Sequence, residues 1–170
     1  MPVYRPASPA DDDAHELLSD YFGMRTEAFP EGLGAYHTVF PDPAQFLPPD
    51  GLFMVVDDDL GPVGCGGVRM LDGDAEPRRA EIKHLYLRDR ARGKGWGREL
   101  LAELEARAVG LGARVIVLDT NASLEAAQGL YRSTGYVDIE PYNDNPNATN
   151  WFAKQMPSWS RSRSAADRDR

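Results

Sequence analysis

The residues best suited to chemistry form one run, Arg92-Gly93-Lys94-Gly95-Trp96-Gly97-Arg98. Glycines alternate with larger residues, and glycine lets the backbone take positive φ and a ligand come close. Directly downstream, Leu100, Leu101, Leu104, Ala108 and Leu111 recur at helical spacing,. Upstream, residues 80–87 are aliphatic, aromatic and β-branched and read as a strand. The segment is therefore strand, glycine loop, helix. Loop amides can converge on one point, and a helix start adds unpaired N–H groups with a partial positive charge. That chemistry is anion binding, with phosphate the best ligand. A tight, solvated turn is the plain alternative.

Charge favours the ligand. Residues 88–98 carry Arg88, Arg90, Arg92, Lys94 and Arg98 against Asp89, a net of +4 in a chain of net −8. The remainder thus carries −12, and a basic island in so acidic a chain suits a polyphosphate. Two common phosphate motifs fail on inspection. A P-loop needs Ser or Thr after its Gly-Lys, and Gly95 follows Lys94,. A dinucleotide fingerprint needs a third glycine where Arg98 stands,.

The pattern that does fit is Arg92-x-x-Gly95-x-Gly97, which resembles the acetyl-CoA-binding motif of the GCN5-related N-acetyltransferases (GNAT). The resemblance continues over residues 80–156, nearly half of the chain. Some family members place a glutamate general base fourteen positions before the first motif glycine, and Glu81 occupies that position. A family helix ends in Tyr-x-x-x-Gly-Phe/Tyr, matched here from Tyr131 to Gly135-Tyr136. The resemblance implies that Arg92 to Arg98 hold pyrophosphate, and that backbone amides near Leu85 and Leu87 hold the pantetheine arm. It implies Tyr131 as the general acid for the departing thiolate, because a phenol beside the cofactor can supply a proton. Many members carry an asparagine seven before that tyrosine. Here the position is Leu124, and Asn121 is either its substitute or simple turn chemistry. Similar Pro-Tyr-Asn loops in relatives with small acceptors make Tyr142 and Asn143 candidate substrate contacts.

Alternation on the strand puts Glu81, Lys83, Leu85 and Leu87 on one face and Ile82, His84 and Tyr86 on the other,. Two readings of Glu81 stand. It is a base that deprotonates an attacking amine, directly or through water, or it is the partner of Lys83 in an ion pair. His84 is the other candidate base but falls on the opposite face. Tyr131 likewise has a plain reading, a core ring with a locally bonded hydroxyl.

The surrounding elements follow in order. A short strand at residues 3–7 precedes a helix opened by Asp11-Asp12-Asp13 and running to about Phe22,. Consecutive aspartates do not share a helix face, so no metal site is expected there. Residues 30–50 hold five prolines with Phe40, Phe46 and Tyr36 between them, either a specificity wall or a packed loop. A hairpin joins strands at 52–56 and 62–71, where Gly64, Gly66 and Gly67 suggest a bulge or a close ligand approach,. Cys65 reads as a small buried hydrophobe. Residues 114–120 form an apolar strand covered on both faces, Ser123 caps the next helix, and strands follow at 136–139 and 151–156,.

The expected fold is a single α/β domain over residues 1–156, GNAT-like, with a mixed and mostly antiparallel sheet of six or seven strands flanked by helices. Residues 157–170 read as a disordered polar tail,. The expected activity is direct acetyl transfer from acetyl-CoA to a primary amine, the acceptor a small molecule, with no metal. A non-catalytic acyl-CoA-binding or interaction module, and a protein lysine or N-terminal acetyltransferase, are the alternatives. One cysteine suits a reducing cytoplasm, and no apolar run approaches membrane-span length,. Acidic balance argues against nucleic acid, while a homodimer stays open.

Overall fold

The computed structural model describes residues 1–71 and 73–157; the expected tail beyond residue 157 lies outside the described residues. Seven strands form one sheet in the order β1-β2-β3-β4-β5-β7-β6. The strands are β1 (Val3–Ala7), β2 (Gly51–Asp58), β3 (Gly61–Met70), β4 (Arg79–Leu87), β5 (Val115–Thr120), β6 (Val137–Ile139) and β7 (Asn150–Gln155). All adjacent pairs run antiparallel except β4 and β5. Between that parallel pair lie the glycine loop and helix α2 (Trp96–Gly110), as a parallel crossover requires,. The fold is thus the mixed, mostly antiparallel GNAT-like sheet that the residues point to.

Helix α1 (Asp12–Ala28) covers one face, where Ala14, Leu17, Leu18 and Phe22 pack with Phe53, Val55 and Cys65. It runs six residues past Phe22, because that next turn buries Arg25 on the same side. On the other face, Leu100, Leu101, Leu104 and Ala108 of α2 meet Met54, Val68, Ile82 and Ile116. Helix α3 (Glu125–Ser133) adds Tyr131 to this second core. Its cap differs from expectation: Leu124 precedes the first turn, and the Ser123 N–H instead donates to Asn121 Oδ1 at 3.0 Å. The glycines of β3 serve the core rather than a ligand. A Cβ on Gly66 would lie 2.6 Å from Leu104, and one on Gly67 2.6 Å from Phe46. Among the described residues, no helix is long and apolar enough to cross a membrane.

Strict alternation fails on β4. Lys83 pairs with Gly67 and Tyr86 with Cys65, so His84 and Leu85 together oppose one residue of β3. This is a β-bulge, and His84 takes φ 57° to make it,. Beyond the bulge the faces exchange. Ile82, Leu85 and Leu87 pack with the α2 core, whereas Tyr86 joins the α1 core and His84 meets Tyr21, Phe22 and Phe46. Glu81, paired with Arg69, is on that same α1 side, so His84 shares a face with Glu81 and not with Leu85.

Candidate active site

Pairing between β4 and β5 stops at Glu81 opposite Val117, while β5 continues along β7 as far as Thr120 opposite Asn150. The two strands therefore diverge, and a cleft of about 1370 Å³ opens between them. Its walls include β4 from Ile82 to Leu87, Asp119 and Thr120 of β5, and Leu130 and Tyr131 of α3. The glycine loop closes one end. Residues of α1, the 36–46 segment and the loop at 143–147 close the other.

At the loop end, Gly93 and Gly95 take φ of 72° and 81°, which an L side chain rarely adopts. Gly95 is the left-handed residue from which α2 starts. The first amide to find a backbone acceptor there is Glu99, bonded to the Gly95 carbonyl at 3.2 Å. The amides at the helix start are those that no helix can satisfy internally. The five cations of this stretch divide. Arg88 pairs with Glu16 and Asp20 of α1, and Arg90 with Asp58 of the β2–β3 hairpin. Both are structural ties, so the basic island is smaller than its sequence. Arg92 holds the Leu87 carbonyl at 3.0 Å and pairs with the exposed Asp89 at 2.8 Å, Lys94 lies over the Trp96 ring, and Arg98 donates to Ser133 at 3.0 Å. Gly97 brings α2 against Leu87 and Leu130, each within 3.7 Å of where a Cβ would stand.

Glu81 is fully buried and outside the cleft lining. Arg69 Nε donates to one carboxylate oxygen at 2.7 Å and the Tyr142 hydroxyl to the other at 2.6 Å, with Lys83 Nζ at 3.9 Å. A carboxylate occupied in this way is braced, as in the ion-pair reading of Glu81, with Arg69 rather than Lys83 as the nearer cation. Burial and the Glu81 charge push the Tyr142 phenol well above its ordinary range. Asn143 does line the cleft, donating to Asp119 at 2.7 Å and accepting from the Trp151 indole at 2.9 Å. Asn121, 1% exposed, uses Nδ2 on the Asn147 carbonyl and Oδ1 on Ser123, so it fastens the 143–147 loop and lies outside the cleft lining. Of the two readings of Asn121, turn chemistry is the one the structure favours.

Tyr131 lines the cleft with its ring packed on Tyr136 and Phe152, and burial raises its phenol pKa. Leu85 and Leu87 lie on the β4 wall.

Two cleft residues, Asp119 and Arg25, were not foreseen, and a third, His84, was weighed as a base but put on the other face. Asp119 ends an apolar strand, where a carboxylate is out of place, and that oddity is readable in the sequence. Burial pushes its pKa up, but Lys83 at 3.5 Å and the amides of Asn143 and Asn145 outweigh it and hold the carboxyl below its usual range. His84 Nδ1 is buried and has no hydrogen-bond partner among the described residues. Burial, with Lys83 and Arg69 adding to it, takes the imidazole down to about 3, so it is neutral at pH 7. Arg25, 7% exposed, reaches the cleft from the last turn of α1.

Comparison with known proteins gives the same outline. A family model for the GNAT acetyltransferases matches residues 12–136. An uncharacterised N-acetyltransferase of Schizosaccharomyces pombe is 38% identical over 103 residues, 60% of this chain and 61% of the relative. The match therefore spans about three fifths of that relative's length. An IAA acetyltransferase of Azospirillum brasilense is 32% identical over 135 residues, 79% of this chain and 84% of its own. Among solved structures, a Klebsiella pneumoniae protein assigned as an acyl-CoA N-acyltransferase superposes with TM-score 0.71 at 25% identity, covering 91% of this chain and 97% of that one. A GNAT acetyltransferase from Elizabethkingia anophelis with acetyl-CoA bound superposes with TM-score 0.57 at 13% identity, covering 91% and 98%.

Proposed function

The chain belongs to the GNAT acetyltransferase family, and from that premise we propose that it moves an acetyl group from acetyl-CoA to the primary amine of a small molecule by direct transfer. The observation that carries this reading is the divergence of β4 and β5 past Glu81 and Val117, with an amide-rich loop at one end and an aromatic chamber at the other. Bound acetyl-CoA would supply the acetyl group as an activated thioester.

The chain's own residues divide the remaining work. Amides of residues 93–98, with Arg92, Lys94 and Arg98 nearby, take the pyrophosphate. The backbone of β4 around Leu85 and Leu87 flanks the pantetheine arm. Tyr131 directs its hydroxyl to the departing sulfur, and a phenol kept protonated by burial can donate a hydrogen bond to the thiolate as it forms,. His84 Nδ1, neutral and unpartnered, hydrogen-bonds to the amine and orients it, while the proton released on attack passes to solvent, because burial keeps the imidazole from holding it,. Glu81 acts through others, fixing Arg69 and Tyr142 behind the chamber. Walls from α1, residues 36–46 and residues 143–147 enclose the acceptor end, which supports a small molecule over a protein lysine.

The test is thermal unfolding with and without acetyl-CoA, in the wild type and in Gly95→Trp. At a hundred times its Kd the ligand adds about 2.7 kcal/mol. Gly95 stands at φ 81°, so a side chain there strains the loop and intrudes on the anion. The wild type should shift upward by several degrees and the folded variant should not. Tyr131→Phe should keep that shift while CoA release with an amine panel falls about a hundredfold. Absence of any shift in the wild type overturns the acetyltransferase reading. A shift without turnover on any amine leaves a non-catalytic acyl-CoA-binding module.

A further inference from the structure

The acceptor end contains three cations, and their partners differ. Arg69 has Glu81 at 2.7 Å, and Lys83 has Asp119 at 3.5 Å. Arg25 has no carboxylate within ion-pair distance among the described residues. Its guanidinium donates to the Tyr21 hydroxyl at 3.2 Å and reaches the Asn147 carbonyl at 3.5 Å. It also lies over the rings of Tyr21 and Tyr36, at 5.8 and 5.4 Å from their centroids.

A buried guanidinium needs an anion or a strong local field. The C-terminal end of α1 offers a partial negative charge, which offsets some of the cost,. Two neutral oxygens and two ring faces supply the rest of its surroundings, and none brings a full charge. The planar five-donor fork of arginine is matched to a carboxylate.

Around it the chamber is apolar and aromatic. Phe22 packs against Phe40 at 4.9 Å and Tyr36 at 6.5 Å between ring centroids, and Phe46 closes toward His84 at 6.1 Å. The Tyr21 ring lies between the two polar groups that matter. It is the ring under Arg25, and its centroid is 5.6 Å from that of His84, whose Nδ1 is unpartnered. Among the described residues, a cation without a counter-ion and a ring nitrogen without a hydrogen-bond partner thus flank one aromatic residue in one cleft.

We infer that the acceptor is an amine that also carries a carboxylate on an apolar or aromatic body, with Arg25 as the carboxylate anchor. The body lies among Phe22, Tyr36, Phe40 and Phe46, and the amine points to His84 and the C-terminal end of β4. This rests on the acetyl-transfer reading of the same cleft and narrows it to one substrate class.

The experiment uses a matched pair of probes, L-phenylalanine and 2-phenylethylamine, which share ring and amine and differ by the carboxylate. Binding is measured by calorimetry without acetyl-CoA, and kcat/KM by CoA release with it. The wild type should prefer phenylalanine by about tenfold or more in both, since a site built for a polar group rejects the analogue lacking it. In Arg25→Gln the preference should fall to within about threefold while the thermal shift from acetyl-CoA is unchanged. Arg25→Lys, which keeps the charge and loses the fork, should fall between them. If Arg25→Gln does not fold, the wild-type ratio in calorimetry decides alone. Equal or better binding of 2-phenylethylamine by the wild type overturns the inference, as does a ratio in folded Arg25→Gln equal to that of the wild type. Neither result touches the acetyl-CoA shift, whose absence would defeat only the underlying reading.

Discussion

At the loop end of the cleft, the proposed anion surface is seven consecutive residues, and they offer it from backbone. Gly93 and Gly95 turn at positive φ, and α2 starts with its amides unpaired. At the acceptor end, Arg25, Tyr36, His84, Asp119 and Asn143 come from five separate parts of the chain and act through side chains. The first surface depends on local conformation, so it is lost by straining the loop. The second depends on a charge network that spans the sheet, so it is lost by removing one partner from a set.

The largest effect should follow from breaking that network at its centre. Glu81→Gln leaves Arg69 without its counter-ion and Tyr142 without an anionic acceptor. Loss of one partner of a buried pair costs 3–5 kcal/mol, and because Arg69 is 32% exposed the lower end applies, about 3 kcal/mol,. Denaturant midpoints should show the loss, while acetyl-CoA should stabilise the variant as much as the wild type. A variant of unaltered stability with activity reduced a hundredfold would make Glu81 a base after all and erase the contrast.

An intermediate effect belongs to His84. Its folded pKa, about 3, lies below the unfolded value near 6.5, so the unfolded chain binds the proton first,. The stability contributed is therefore full above pH 6.5 and is lost as pH falls toward 3, at up to about 1.4 kcal/mol per pH unit. Asp13, Asp58 and Asp119 also have lowered pKa values, but their contribution is lost only as pH falls below about 4,. The window from 4 to 6.5 isolates the histidine. His84→Asn, chosen because asparagine tolerates positive φ, should flatten the pH dependence of the unfolding midpoint there. An unchanged slope would mean that the imidazole is not held neutral in the chamber.

The smallest effect separates cations of the loop end. Arg98→Ala should raise the KM for acetyl-CoA several-fold, a loss of about 1 kcal/mol for one exposed phosphate contact. Arg90→Ala, two turns of sequence earlier but tied to Asp58, should leave that KM alone. Equal effects from both would restore the whole basic island to the ligand.

The loop end was legible because glycine spacing and helix periodicity are local, and the motif Arg92-x-x-Gly95-x-Gly97 records them in consecutive residues. The acceptor end was legible only in part. Asn143 lines the chamber and Tyr142 does not; Tyr142 serves Glu81 and Asn143 serves Asp119. Glu81 itself was found by position, but nothing in the sequence says that Arg69, twelve residues away, takes its carboxylate. His84 was put on the wrong face by strict alternation. The β3 glycines suggest a bulge, and one lies opposite Gly66, but nothing in the sequence says that the extra residue is on β4, where His84 takes the positive φ.

The strand-loop-helix unit and the mixed sheet around it could be read from the residues alone, because both follow from hydrogen-bonding geometry and periodicity among near neighbours. Only the tertiary structure decided which groups are paired. Whether, among the described residues, Glu81 is braced, Arg25 lacks a carboxylate and His84 Nδ1 lacks a partner depends on contacts across the sheet, where burial strengthens each charge and makes each missing partner costly.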